Sequence, residues 1–133
     1  MLVVDSSVWI DYFNGTPNPA RAVLRKLLDD GDLRLVLPDL VMFEVLRGFR
    51  DERDFRQARL LFESLDIEEA GGEHLALVAA QHFRSLRAVG VTPRSSIDVL
   101  LAAFCIERDY ALLHCDRDFH AFEELRGLRG WRH

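Results

Sequence analysis

Positive charge is in short supply in this chain: 17 basic residues face 22 acidic ones, a formal charge of −5, and Lys26 is the only lysine. The deficit argues against a protein that holds nucleic acid through a basic surface alone. It leaves room for a nuclease that works through a divalent cation, because clustered carboxylates hold the ion and the ion meets the phosphate. Cysteine is scarce as well. Cys105 and Cys115 lie in or beside apolar runs, with no C-x-x-C or Cys/His ligand spacing, so both are expected as buried, reduced thiols. Long apolar runs are missing. Val99–Ile106 is far too short to cross a bilayer, and no basic segment leads into a signal-type run, so the expectation is a cytoplasmic protein away from membranes.

What is present suits one folded domain spanning residues 1–133, at 49% hydrophobic and 29% charged, with no repeat, linker or low-complexity stretch. Leu2-Val3-Val4 reads as a strand that feeds a helix running to Phe13. A helix over Ala20–Asp30, a strand over Arg34–Leu37 and a helix with Pro38 in its first turn, ending near Gly48, follow. Asp51–Ser64 is a surface helix, Leu65–Glu68 a short strand, and Glu73–Val89 and Ser95–Arg108 are helices. Tyr110–Cys115 is a strand and Asp116–Leu125 a short helix, with an edge strand near Trp131. Strands alternating with helices predict a three-layer α/β/α sandwich around a parallel sheet.

Four acids lie where a charge is costly without a partner. Asp5 closes the run Leu2–Val4 and Asp116 closes the run Ala111–Cys115, which puts both at the carboxyl ends of parallel strands, where open α/β sheets bind ligands. Glu44 is the only charge between Leu40 and Leu46, and Asp98 opens the apolar helix Val99–Ile106. Each has a structural alternative. Asp5 and Asp116 suit helix N-caps, Asp98 stands three residues after Ser95 at capping-box spacing, and Glu44 fits a narrow exposed face. Four unpaired carboxylates at one edge would cost several kcal/mol by the desolvation rule, roughly. Mg²⁺ or Mn²⁺, which prefer oxygen ligands, removes that cost.

The segments MLVVDSSVWIDYF, VMFEVLRG, SSIDVLLAAFC and LLHCDRDF resemble, in order and spacing, the four acidic motifs of PIN domains, most closely the VapC-type toxins of toxin–antitoxin pairs. The resemblance spans nearly the whole chain and implies a PIN-like fold. It makes Asp5, Glu44, Asp98 and Asp116 the catalytic, metal-binding carboxylates for Mg²⁺ or Mn²⁺. Ser7 matches a small polar residue that bonds the Asp5 carboxylate or a water on the metal, and otherwise is a helix-terminal serine. Asp118 matches an acid behind the metal ligands or at a helix end, with a catalytic role as the alternative. His114 departs from the Ser or Thr usual two residues before the last acid and reads as a strand histidine donating to a carbonyl. The implied reaction is hydrolysis of RNA by a cation-activated water in line with the leaving 3′ oxygen, giving a 5′ phosphate.

Arg47, Arg50 and Arg94 flank the motifs and are candidates for RNA phosphate contacts, with solvated surface arginines as the alternative. The resemblance also implies a homodimer and a cognate antitoxin protein. Val8, Trp9, Ile10, Tyr12 and Phe13 crowd more apolar bulk onto one short helix than a single stripe buries, so Trp9, Tyr12 and Phe13 are candidate partner contacts, or alternatively core. Two other readings fit less well. A phosphoacceptor receiver needs a lysine near its last strand, and Lys26 is in an early helix. A catalytically silent PIN-fold binding module would be expected to have lost a motif acid.

Overall fold

Leu2–Val4 form β1, and all three residues are buried, as a central strand covered on both faces requires. In the computed structural model, which describes residues 1–133, four strands join it: β2 (Leu35–Pro38), β3 (Asp66–Glu68), β4 (Ala111–Leu113) and β5 (Arg129–Gly130). Every pairing is parallel, in the order β3-β2-β1-β4-β5, with Val3 opposite Val36 on one side and Leu112 on the other. The helices are α1 (Ser6–Asn14), α2 (Pro19–Asp30), α3 (Asp39–Leu46), α4 (Glu52–Glu63), α5 (Glu73–Ala88), α6 (Ser96–Arg108) and α7 (His120–Leu125). A 3-10 turn, Arg117–Phe119, precedes α7. Helices α1 to α4 pack among themselves, whereas α5 packs on α6 and α6 on the turn. This is the expected sandwich around a parallel sheet.

The chain moves outward through β1, β2 and β3, then returns to the far side of β1 as β4. Strand order therefore reverses between β1 and β4, and the carboxyl ends of those strands flank the crevice where such sheets take ligands. Asp5 follows β1 directly. Its N–H donates to the Leu113 carbonyl at 2.9 Å, which locks the ends of the two strands together.

Several boundaries differ from expectation. Pro38 is the last residue of β2 rather than the first of a helix, with extended backbone, and Asp39 opens α3. The Asp39 carboxylate then accepts the N–H groups of Leu40 and Ala70, both at 2.9 Å, tying the start of α3 to the chain after β3. Strand β4 stops at Leu113, so Asp116 stands three residues past it. His114 turns out of the ladder because its ring has other partners: Nδ1 accepts the Asp116 N–H at 3.3 Å and Nε2 meets Glu123 Oε1 at 2.5 Å. It does not donate to a carbonyl. Cys105 is buried as expected, whereas Cys115 is exposed, because the chain has already left the sheet.

The apolar surplus expected on α1 is smaller than its residue count suggests. Trp9 is only 1% exposed, its ring edge-on to Phe62 at 5.1 Å, so it belongs to the core and is no surface for a partner. Phe13 is half-buried against Phe49 and Phe62, and Tyr12 is half-buried too, which leaves Ile10 as the exposed large apolar residue of the helix.

Candidate metal centre

Asp5 is the most deeply placed acid, 4% exposed at the end of β1. It occupies the N-cap position of α1, where its side chain makes no capping bond of good geometry and receives only weaker influence from the Ser6 and Ser7 backbone N–H groups. Oδ2 accepts the Ser7 hydroxyl at 2.5 Å, and Oδ1 is buried without a partner. Burial pushes its pKa up, against the lowering effect of the Ser7 hydroxyl. Glu44, on α3, has a buried and unpartnered Oε1. Its pKa is also raised, first by burial and then by the Asp5 charge, while the Ser6 hydroxyl and Arg47 oppose the shift.

Helix α6 and the turn after β4 complete the cluster. Ser95 caps α6 by accepting the Asp98 N–H at 3.3 Å, and the Asp98 carboxylate lies beside those of Asp116 and Asp118. One carboxylate oxygen each from Asp98, Asp116 and Asp118 lie within 4.8 Å of one another. Asp116 does act as a cap: it accepts the Asp118 N–H at 2.9 Å. That bond uses one oxygen and leaves the second for the cluster. Asp118 thus stands among the site carboxylates rather than behind them. The D-R-D spacing around a cap was the available signal for this, since an aspartate cap bonds the N–H two residues on.

Asp98 registers the whole assembly. Its pKa is pushed up to about 7, by burial and then by the charges of Asp5, Asp116, Glu44 and Asp118. Five carboxylates at one sheet edge, with two buried oxygens that find no donor, form an all-oxygen donor set deficient in positive charge. A hard divalent cation fits that chemistry. Asp98, Asp116 and Asp118 have oxygens close enough to share one, whereas Asp5 and Glu44 lie outside that close group but near enough for their charges to raise the Asp98 pKa.

The arginines divide. Arg94 Nη2 reaches Asp118 Oδ1 at 3.3 Å, at the rim of the cluster. Arg47 lies over the exposed Phe43 ring at 5.5 Å, one residue from Glu44. Arg50 is exposed beside Asp51 and Asp54, in a cleft that none of the five clustered acids lines. Neither thiol is activated as a nucleophile. Burial raises Cys105, and Cys115 is raised by partial burial and then by Asp11, Asp5 and Asp116.

A profile for the PIN domain matches residues 2–125 of the chain. A VapC ribonuclease of Mycobacterium bovis is 29% identical over 132 residues, which cover 97% of this chain and 96% of that protein. Ribonuclease VapC11 of Mycobacterium tuberculosis matches to the same extent. Among solved structures, VapBC2 of Rickettsia felis, bound to a DNA fragment from its promoter, superposes with a TM-score of 0.74 at 15% identity over 98% of both chains. Mycobacterium tuberculosis VapC20, a toxin that cleaves the sarcin-ricin loop, gives 0.71 at 17% identity over the full length of both.

Proposed function

Because the chain belongs to the PIN-domain family, we propose that it is a divalent-metal-dependent endoribonuclease and the toxin of a toxin–antitoxin pair. The single observation that carries the reading is the carboxylate cluster itself, with the unpartnered Asp5 Oδ1 and Glu44 Oε1 and an Asp98 whose pKa reaches about 7. The likeness to proteins named VapC ribonuclease supports the choice of RNA. Mg²⁺ or Mn²⁺, when bound, supplies the positive charge that meets the scissile phosphate and makes a water nucleophilic at neutral pH.

The side chains have separable tasks. Asp98, Asp116 and Asp118, whose oxygens lie within 4.8 Å of one another, would hold the cation, with Asp5 and Glu44 as further carboxylates beside them, and the Ser7 hydroxyl fixes one Asp5 oxygen so that the other stays available. Arg94 shares its charge with Asp118, and with Arg47 it is positioned at the margin of the acids to meet flanking phosphates. Arg50, paired with no acid in the cluster, suits a more distant phosphate. Water attack breaks the bond to the 3′ oxygen and leaves a 5′ phosphate. No side chain is needed as a covalent nucleophile.

The partner reading rests on α1. Tyr12 lines an apolar cleft of about 330 Å³ with Leu27, Leu28, Leu61 and Leu65, and Ile10 and Phe13 line a smaller notch of about 90 Å³ with Val45 and Phe49. These suit an amphipathic segment of an antitoxin. The VapBC structures that share the fold are complexes of such a pair. A second apolar hollow between α5 and α6, lined by Ala76, Ala80, Phe83 and Leu100, suits a homodimer contact. The test is induction of the chain in a bacterial host with and without the neighbouring reading frame. Growth arrest that co-expression relieves is expected, and unaffected growth contradicts the toxin assignment.

A further inference from the structure

A second feature is built at the same end of the sheet. Beside the carboxylates, between β4 and the C-terminal segment, opens a cleft of about 660 Å³ whose walls include His114, Arg117, His120, Glu123, Trp131 and Arg132. In a chain of net charge −5 this is a local reversal of sign. Its one acid, Glu123, is engaged with His114 Nε2 at 2.5 Å, and neither Arg117 nor Arg132 forms an ion pair. Two guanidinium groups are therefore free for phosphate oxygens.

Trp131 is held at the cleft's edge. Its backbone N–H donates to the Leu112 carbonyl at 2.8 Å, continuing the β4–β5 pairing, and the residue is 37% exposed. A partly exposed indole whose backbone is anchored to the sheet edge is a platform for a base. No cluster acid lines the cleft, but the two adjoin through the turn after β4, where Arg117 stands between Asp116 and Asp118 in sequence and the His114 ring accepts the Asp116 N–H.

We propose that this cleft is a subsite for one nucleotide of single-stranded RNA flanking the cleavage point, with its base stacked on Trp131 and its phosphate held by Arg117 and Arg132. The inference rests on the ribonuclease reading above and adds to it a place where the base next to the cut is gripped.

The two tryptophans make the test direct. Trp9 is buried and Trp131 is open, so a ligand in the cleft quenches Trp131 emission and leaves Trp9 as an internal reference. The full chain is titrated in EDTA, where no cleavage occurs, with oligouridylate and oligoadenylate hexamers, and binding is also read by anisotropy of labelled hexamers. Quenching is expected. Trp131→Ala should weaken binding about tenfold, the scale of one lost base stack, with Trp131→Phe recovering most of it. Arg117→Ala and Arg132→Ala should each weaken binding and flatten its salt dependence by about 0.7 in log–log slope. On a cleavable substrate the same variants should raise KM more than they lower kcat.

Absent quenching, together with unchanged affinity in Trp131→Ala and Arg132→Ala, overturns the subsite. So does Trp131→Ala leaving RNA binding intact while abolishing capture of the partner protein. Because the binding arm needs neither metal nor cleavage, failure of the ribonuclease reading shows in the activity assay alone.

Discussion

Oδ1 of Asp116 accepts the backbone N–H of Asp118 at 2.9 Å, and through that bond the turn after β4 presents two carboxylates to Asp98 instead of one. Asn at position 116 still offers an acceptor for the cap, so Asp116→Asn should keep the fold and lose cleavage. Asp118→Asn should weaken cation binding about tenfold, the scale of a lost supporting ligand, and lower activity in parallel. Calorimetric titration with Mn²⁺ checks both. An Asp118→Asn protein with unaltered cation affinity places Asp118 outside the metal's reach.

The raised Asp98 pKa makes a stability prediction for the metal-free chain. The folded state keeps this proton to about pH 7, whereas the unfolded chain releases it near 3.8. Between those values the folded state binds more protons, so stability is full below 3.8 and is lost as pH rises through about 7. In EDTA, Tm should fall between about pH 5 and about pH 8, and Mg²⁺ should restore it at the higher pH by binding the ionised cluster. A Tm in EDTA that does not change over that range contradicts the electrostatic account.

Ser7→Ala removes the only side-chain donor to Asp5 and leaves both carboxylate oxygens without one. The expected outcome is about a tenfold loss of cation affinity with little change in Tm, since Ser7 is exposed and outside the core. Mn²⁺ binding followed by paramagnetic resonance measures it. Unchanged affinity would mean that the backbone alone orients Asp5.

Much of this architecture is legible in the sequence. Leu2–Val4, closed by Asp5, reads as a buried strand ending at a ligand edge because three apolar residues and one acid leave little alternative. The same logic overshot at the other end. Ala111–Cys115 is apolar apart from His114, whose ring finds hydrogen-bond partners in Glu123 and the Asp116 N–H; the strand stops at Leu113 and Cys115 faces solvent. Periodicity registers side-chain polarity, and this boundary is set by contacts between residues nine apart. The cleft around Trp131 was illegible for a related reason, since it depends on the parallel pairing of β5 with β4.

Trp9 and Ile10 separate packing from docking on α1. Trp9→Ala removes a buried ring packed on Phe62 and should cost about 3–5 kcal/mol of stability, read by urea unfolding. Ile10→Asp, at a side chain 38% exposed beside the Phe13 notch, should leave stability nearly unchanged and abolish co-purification with the neighbouring gene product. Retained co-purification moves the partner's footprint off this helix.

The central claim is that the carboxylate cluster works through a cation, and cleavage of a defined RNA by the purified chain tests it most directly. The wild-type protein should cleave with Mg²⁺ or Mn²⁺, stop in EDTA, and recover when the cation is returned. Asp98→Asn, with the same circular dichroism spectrum as wild type, should not cleave at any cation concentration. Cleavage that continues undiminished in EDTA, or an Asp98→Asn protein as active as wild type, would contradict the account.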